Sequence, residues 1–187
     1  MSFIRETIVT TVNAKGRVHI APLGIIAEDD GWVIAPFRPS TTLENLTAVP
    51  FAIANYTDDM RIFAGCLTGR REWPLVAVQD CPVPRLEAAL SHSVLQVVSV
   101  TQDEIRPRYF CRIAAEATHA PFTGMNRAKA AVLELAILVS RLHMLPKQKV
   151  DSEIAYLSIA IDKTAGADER QAWDWLMDRV NAHSAGD

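Results

Sequence analysis

The chain has 187 residues and a mass of 20.6 kDa, the size of one compact domain with a small helical addition. Hydrophobic residues make up 49% and charged residues 22%, which supplies a core and excludes intrinsic disorder. With 19 basic against 22 acidic side chains the net charge is −3, so nothing draws the whole chain to nucleic acid or to an anionic membrane, and only a local basic pocket stays open.

The first half is predicted to be β-structure. Thr7 to Val12 is a β-branched run, Asn13-Ala14-Lys15-Gly16 carries turn chemistry, and Arg17 to Ile26 completes a hairpin. Glu28-Asp29-Asp30-Gly31 makes the next turn and Trp32 to Phe37 the next strand. A short helix follows Pro39, with Ser40, Thr41 or Thr42 as its cap, and Thr41 with Glu44 has the spacing of a capping box. Phe51 to Asn55 is a strand and Met60 to Leu67 another short helix. Beyond these, Arg85 to Ala89, Val94 to Val100 and Tyr109 to Ala117 read as strands, with a helical turn over Leu86 to Leu90 as the alternative for the first.

The period changes after Pro121. Asn126 to Leu145 is rich in Ala and Leu and predicts a long buried helix stopped by Pro146; Lys129, Glu134 and Arg141 interrupt its apolar window, so it is not a membrane span. Two more helices are expected over Asp151 to Lys163 and Ala167 to His183, the last with Trp173, Leu176 or Met177, and Val180 on one face. The expected fold is therefore mainly β with α. It is a small antiparallel barrel over residues 1–122 with C-terminal helices over 123–187 that pack on it and at a subunit interface. The long helix is apolar on so many sides that a second chain is expected to cover it.

Cys66, Cys81 and Cys111 are an odd number without a C-x-x-C pair, which speaks against a disulfide scaffold or a structural zinc site. The start, MSFIRETIVTT, lacks the apolar stretch of a signal peptide, so a cytoplasmic protein is expected. None of the five histidines has another at a ligand-like i, i+4 step, and no metal is expected. Asp58 and Asp59 read as a polar helix start. Serine-hydrolase, P-loop and dinucleotide-binding signatures are absent.

The chemistry concentrates in Ala35-Pro-Phe-Arg-Pro-Ser-Thr-Thr-Leu-Glu-Asn-Leu46, at a strand-to-helix junction. Arg38 offers a planar fork of donors, Ser40, Thr41 and Thr42 offer hydroxyls, and the helix start offers N–H groups and a favourable dipole. A phosphate monoester suits such a site, and a plain helix cap beside a solvated arginine is the alternative. Asn126 and Arg127, at the start of the long helix, could add a second donor cluster. Equally, Arg127, Glu134 and Arg141 fall on one helix stripe where charges could pair across an interface.

Several pieces together resemble one family: Glu6-Thr-Ile-Val-Thr-Thr11, His19-Ile-Ala-Pro-Leu-Gly24, Phe37-Arg-Pro-Ser-Thr-Thr-Leu-Glu-Asn-Leu46, Asn55-Tyr-Thr-Asp-Asp59 and Gly124-Met-Asn-Arg-Ala128. They are similar to a domain-of-unknown-function family of flavin-reductase-like proteins in the FMN-binding split-barrel superfamily, found in methanogens and one-carbon-metabolism bacteria. The resemblance covers about residues 4 to 145. It implies a homodimer of Greek-key-type split barrels holding FMN. By the match, Arg38, Ser40, Thr41, Thr42 and Asn45 would hold the ribityl phosphate, Thr10, Thr11, His19, Ala21, Pro22 and Gly24 would line the isoalloxazine, and Asn126 and Arg127 are included. The implied function is an FMN-dependent oxidoreductase acting on an unidentified small molecule, with a link to tetrahydromethanopterin or one-carbon metabolism. A non-catalytic FMN carrier or sensor is the alternative, because no acid, base or nucleophile can be assigned beside the site.

Overall fold

In a computed structural model, which describes residues 3–184, the chain divides into two units. One runs from the start of the described residues to Thr57 and from Glu72 to Phe122; the other comprises Asp58–Arg71 and the chain from Thr123 onward.

The first unit begins with β1 (Ile4–Val12) and β2 (Val18–Glu28), paired antiparallel from Ile4↔Ile26 to Val12↔Val18. Their turn is built locally: the Asn13 carbonyl side chain accepts from the Lys15 and Arg17 backbone N–H groups at 2.9 and 3.0 Å, and Gly16 takes φ +77°. A two-residue turn at Asp29 and Asp30 leads into β3 (Gly31–Ile34). Gly31 is required by close approach, since a Cβ there would stand 2.3 Å from the Cys111 carbonyl oxygen. β3 ends at Ile34 and not at Phe37 as expected, because Pro36 has no N–H to continue a ladder.

After helix α1 (Thr41–Ala48), β4 (Phe51–Tyr56) returns beside β1, giving the 4-1-2-3 order of a Greek key. A small ribbon of β5 (Leu75–Val76) and β6 (Arg85–Leu86) follows; the strand expected to Ala89 is only two residues long, in a segment broken by Pro82 and Pro84. β7 (Ser91–Thr101) and β8 (Arg108–Thr118) then close an antiparallel barrel in the order β1-β2-β3-β8-β7-β4. The barrel expected from the sequence is the one observed.

Val9, Ile25, Trp32, Ile34, Ala52, Ala54, Leu95, Tyr109 and Cys111 form the barrel's main apolar cluster, and Leu46 of α1 joins it. On the other face of β1, β4 and β7, Val12, Ile53 and Val94 cluster with Val83 and partly buried Val78. Cover on both faces explains why Thr7 to Val12 is buried without alternation. Each fully buried Ile or Leu contributes about 1.5–3 kcal/mol by removal from water.

The second unit contains α2 (Met60–Leu67), α3 (Arg127–Val139), a 3-10 turn over Leu142–Met144, α4 (Lys147–Thr164) and α5 (Ala167–Ser184). α3 stops earlier than the expected Leu145. Ser140 donates its hydroxyl to the Ile137 carbonyl, and Arg141 N–H bonds Leu138 three residues back, tightening the last turn. Ala128, Ala131, Val132, Leu135, Ala136 and Val139 of α3 are buried, and the helix packs against α2, α4 and α5. α5 buries Ala172, Trp173, Leu176 and Val180 at the predicted helical spacing. Among the described residues no helix is long and apolar enough to cross a membrane.

Candidate functional site

The junction between β3 and α1 is organised by its backbone. Arg38 N–H donates to the Ile105 carbonyl at 2.9 Å, and Ser40, in extended conformation, caps α1 by accepting from Leu43 N–H at 3.3 Å. Ser40 is therefore the cap among the three expected candidates. The Thr41–Glu44 capping box does not form, because Thr41 already lies inside the helix. Arg38 and Thr41 are exposed and Ser40 half-buried, so all three are accessible where the chain enters α1. The Arg38 guanidinium donates to Gln102 Oε1 at 3.3 Å. Glu44, in the first turn, adds the one acidic side chain of α1 to this end.

Thr42 and Asn45 point the other way. Thr42 is buried, and the Asn45 amide donates to Thr11 Oγ1 at 2.9 Å in a buried bond that pins α1 to β1. Strand alternation separates the two threonines. Thr11 lies opposite His19 on one face, while Thr10 faces the segment before β6 and donates its hydroxyl to the Pro84 carbonyl at 2.7 Å. Asn55 completes that lock: its amide donates to Ile8 O at 2.9 Å and to Thr10 Oγ1 at 3.3 Å, and its oxygen accepts Leu86 N–H at 2.7 Å. Ala21, Pro22 and Gly24 are half-buried on β2, with Ala21 on the Thr11 face and Pro22 and Gly24 on the Thr10 face. A Cβ on Gly24 would stand 2.8 Å from Cγ2 of exposed Ile4, so a side chain there would have to displace Ile4.

Asn126 and Arg127 belong to the second unit. Asn126 caps α3: its oxygen accepts Ala128 N–H at 2.8 Å, its amide donates to Thr164 O at 3.0 Å, and Thr164 Oγ1 also accepts Ala128 N–H. N–H capacity that an anion would use at this helix start is thus already engaged, and Arg127 is exposed beside it. Asp58 pairs with Lys129, and Asp59 caps α2 while holding Arg61, which is the polar helix start expected of them.

Two relationships were not visible in the sequence. His92 and His119, 27 positions apart, meet through the β7–β8 register with His92 Nδ1 and His119 Nε2 at 2.8 Å. Burial, then the neighbouring His119 and Arg85, push the His92 imidazole below its ordinary range, and burial followed by Arg85 does the same to His119. Arg106, 71 positions from Ala35, donates to its carbonyl from Nε and Nη2 at 3.1 and 2.9 Å. Neither spacing corresponds to a local motif, so only the closed sheet reveals them.

The barrel unit matches the family model described as the N-terminal domain of a protein of unknown function, DUF447, over residues 5–120, and the DUF447 model for the C-terminal part matches residues 126–178. No curated protein matches the chain. Among solved structures, an FMN-bound DUF447 protein from Methanosarcina mazei superposes with a TM-score of 0.80 at 19% identity, covering 96% of both chains. The 2-nitrobenzoate 2-nitroreductase of Pseudomonas fluorescens gives a TM-score of 0.52 at 21% identity over 61% of this chain and 64% of that one. Flavoredoxin from Methanosarcina acetivorans gives 0.52 at 12% identity over 62% and 69%. At these identities the likeness is one of fold alone.

Proposed function

The chain belongs to the DUF447 family of proteins of unknown function, and from that membership we propose that it is an FMN-binding flavoprotein serving as a flavin-dependent oxidoreductase for a small-molecule substrate. The observation that supports this reading is the strand-to-helix junction, where exposed Arg38 and Thr41 and half-buried Ser40 adjoin the start of α1. Those donors fit a phosphate monoester dianion: the guanidinium pairs with two oxygens, and the helix start adds N–H groups and a favourable dipole. Solved relatives of the same fold include an FMN-bound protein and a nitroreductase.

Bound FMN would supply the redox chemistry, while the chain binds and orients it. Arg38, Ser40 and Thr41 would hold the phosphate. Asn45 and Thr11 act one step away, by fixing α1 on β1 so that its N-terminus keeps its direction, and Thr42 is buried on the same helix. His19 to Gly24, in the first half of β2 and half-buried except for buried Ile20, would offer flat apolar contact and strand amides to the ring. The link to tetrahydromethanopterin or other one-carbon chemistry belongs to this reading through the family resemblance alone.

The reading includes a homodimer. β3 pairs only with Tyr109 to Arg112 of β8, and the rest of β8 to Thr118 is exposed. Arg112 and Glu116 stand symmetrically about Ala114, so an antiparallel second copy would set each arginine opposite a glutamate.

Gel filtration of the protein mixed with FMN tests the reading. Yellow absorbance should travel with a dimer-sized peak and bleach anaerobically with NADH or NADPH. Flavin that elutes apart from the protein would defeat it, and bound flavin that no donor reduces would leave a carrier or sensor.

A further inference from the structure

We propose that Arg106 is a positioning residue for the phosphate cradle, fixing the strand-to-helix segment from which Arg38 reaches its ligand; this rests on the flavoprotein reading above. The segment needs such a brace. β3 ends at Ile34, so the carbonyl of buried Ala35 lies past the last rung of the ladder. Arg106 satisfies it with two N–H groups, at 3.1 and 2.9 Å, and its Cζ lies 4.5 Å from the centroid of the Phe37 ring. One guanidinium therefore grips the backbone at 35 and the side chain at 37.

The same turn holds residue 38 directly. Ile105 accepts the Arg38 N–H at 2.9 Å, and Gln102 Oε1 accepts from its guanidinium at 3.3 Å. Asp103 shapes the turn by accepting the N–H groups of Ile105 and Arg106 at 2.9 and 2.6 Å. Positions 35, 37 and 38 are thus fastened to one loop between β7 and β8. A free arginine must be ordered when an anion arrives, whereas a braced one has already lost that freedom.

FMN and riboflavin titrations of wild type, Arg38→Ala, Arg106→Ala and Arg106→Lys test this, with thermal unfolding as a fold control. Lysine keeps the charge but cannot donate as a fork to Ala35 while lying on Phe37. Both Arg106 variants should bind FMN about tenfold more weakly, with riboflavin binding unchanged. Full FMN affinity in Arg106→Lys would show that only charge matters and would overturn the proposal, as would an equal loss for both ligands. Should Arg106→Ala not fold, Arg106→Lys decides alone. A wild type that binds neither flavin fails the flavoprotein reading itself, and one that binds riboflavin as tightly as FMN fails the phosphate cradle and the role of Arg106 with it; a phosphate preference that Arg38→Ala abolishes and Arg106→Lys spares fails only the role of Arg106.

Discussion

His92 Nδ1 and His119 Nε2 lie 2.8 Å apart, with ring planes within 5° of parallel. One nitrogen must donate and the other accept, so this bond tolerates one shared proton and is lost when both rings are fully protonated. Arg85 nearby disfavours added charge on both, and Glu116 only partly offsets this at His92. Both imidazoles sit below the unfolded value of 6.5. Below that pH the unfolded chain therefore binds more protons than the folded one, and stability falls as pH drops. Urea unfolding should show a midpoint that is constant above pH 7 and declines toward pH 5. The double variant His92→Asn/His119→Gln should flatten that decline; an unchanged pH profile would remove the pair from the explanation.

The Asn45–Thr11 bond is structural by geometry, since both residues are buried. Asn45→Ala should cost about 1–3 kcal/mol by leaving a buried hydroxyl with one partner fewer. Chemical denaturation checks this, and a neutral result would return Asn45 to the ligand-contact set.

Gly31→Ala should destabilise by about 1–3 kcal/mol or more, because the new methyl would stand 2.3 Å from the Cys111 carbonyl and β3 or β8 must shift. Thermal unfolding beside Gly16→Ala, which meets no atom within 4 Å but carries φ +77°, separates close approach from backbone conformation.

Burial pushes the Cys66 thiol up to about 11 and that of Cys111 to about 12. Cys81 is raised as well, yet only half-buried. A thiol reagent at pH 8 should therefore modify at most Cys81 in the native protein, with Cys66 and Cys111 reacting only after unfolding. Mass spectrometry of the labelled chain reads this directly.

Local chemistry was legible in the sequence. Asn13 to Gly16 announces its own turn and Met60 to Leu67 its own helix, because each depends on neighbours within four positions, whereas Ser40, Thr41 and Thr42 are equivalent as caps until the helix start is placed. Which face a strand residue takes was not legible. Adjacent Thr10 and Thr11 have the same chemistry, and only the pairing of Thr10 with Pro84 and of Thr11 with Asn45 separates them. The brace from Arg106 depends on the pairing of β3 with β8 and the histidine pair on that of β7 with β8, which bring together residues 71 and 27 positions apart. The end of α3 was misjudged for the opposite reason: a weak hydroxyl effect at Ser140 stops a helix that propensity alone would carry to Pro146.

The central claim is that Arg38 and the start of α1 receive a phosphate. Isothermal titration of FMN and riboflavin into wild type and Arg38→Ala tests it most directly. Arg38→Ala should weaken FMN by about 1.5–3 kcal/mol, roughly ten- to hundred-fold, and leave riboflavin unchanged. Equal affinity of both flavins for the wild type, or an equal loss of both in Arg38→Ala, would contradict it.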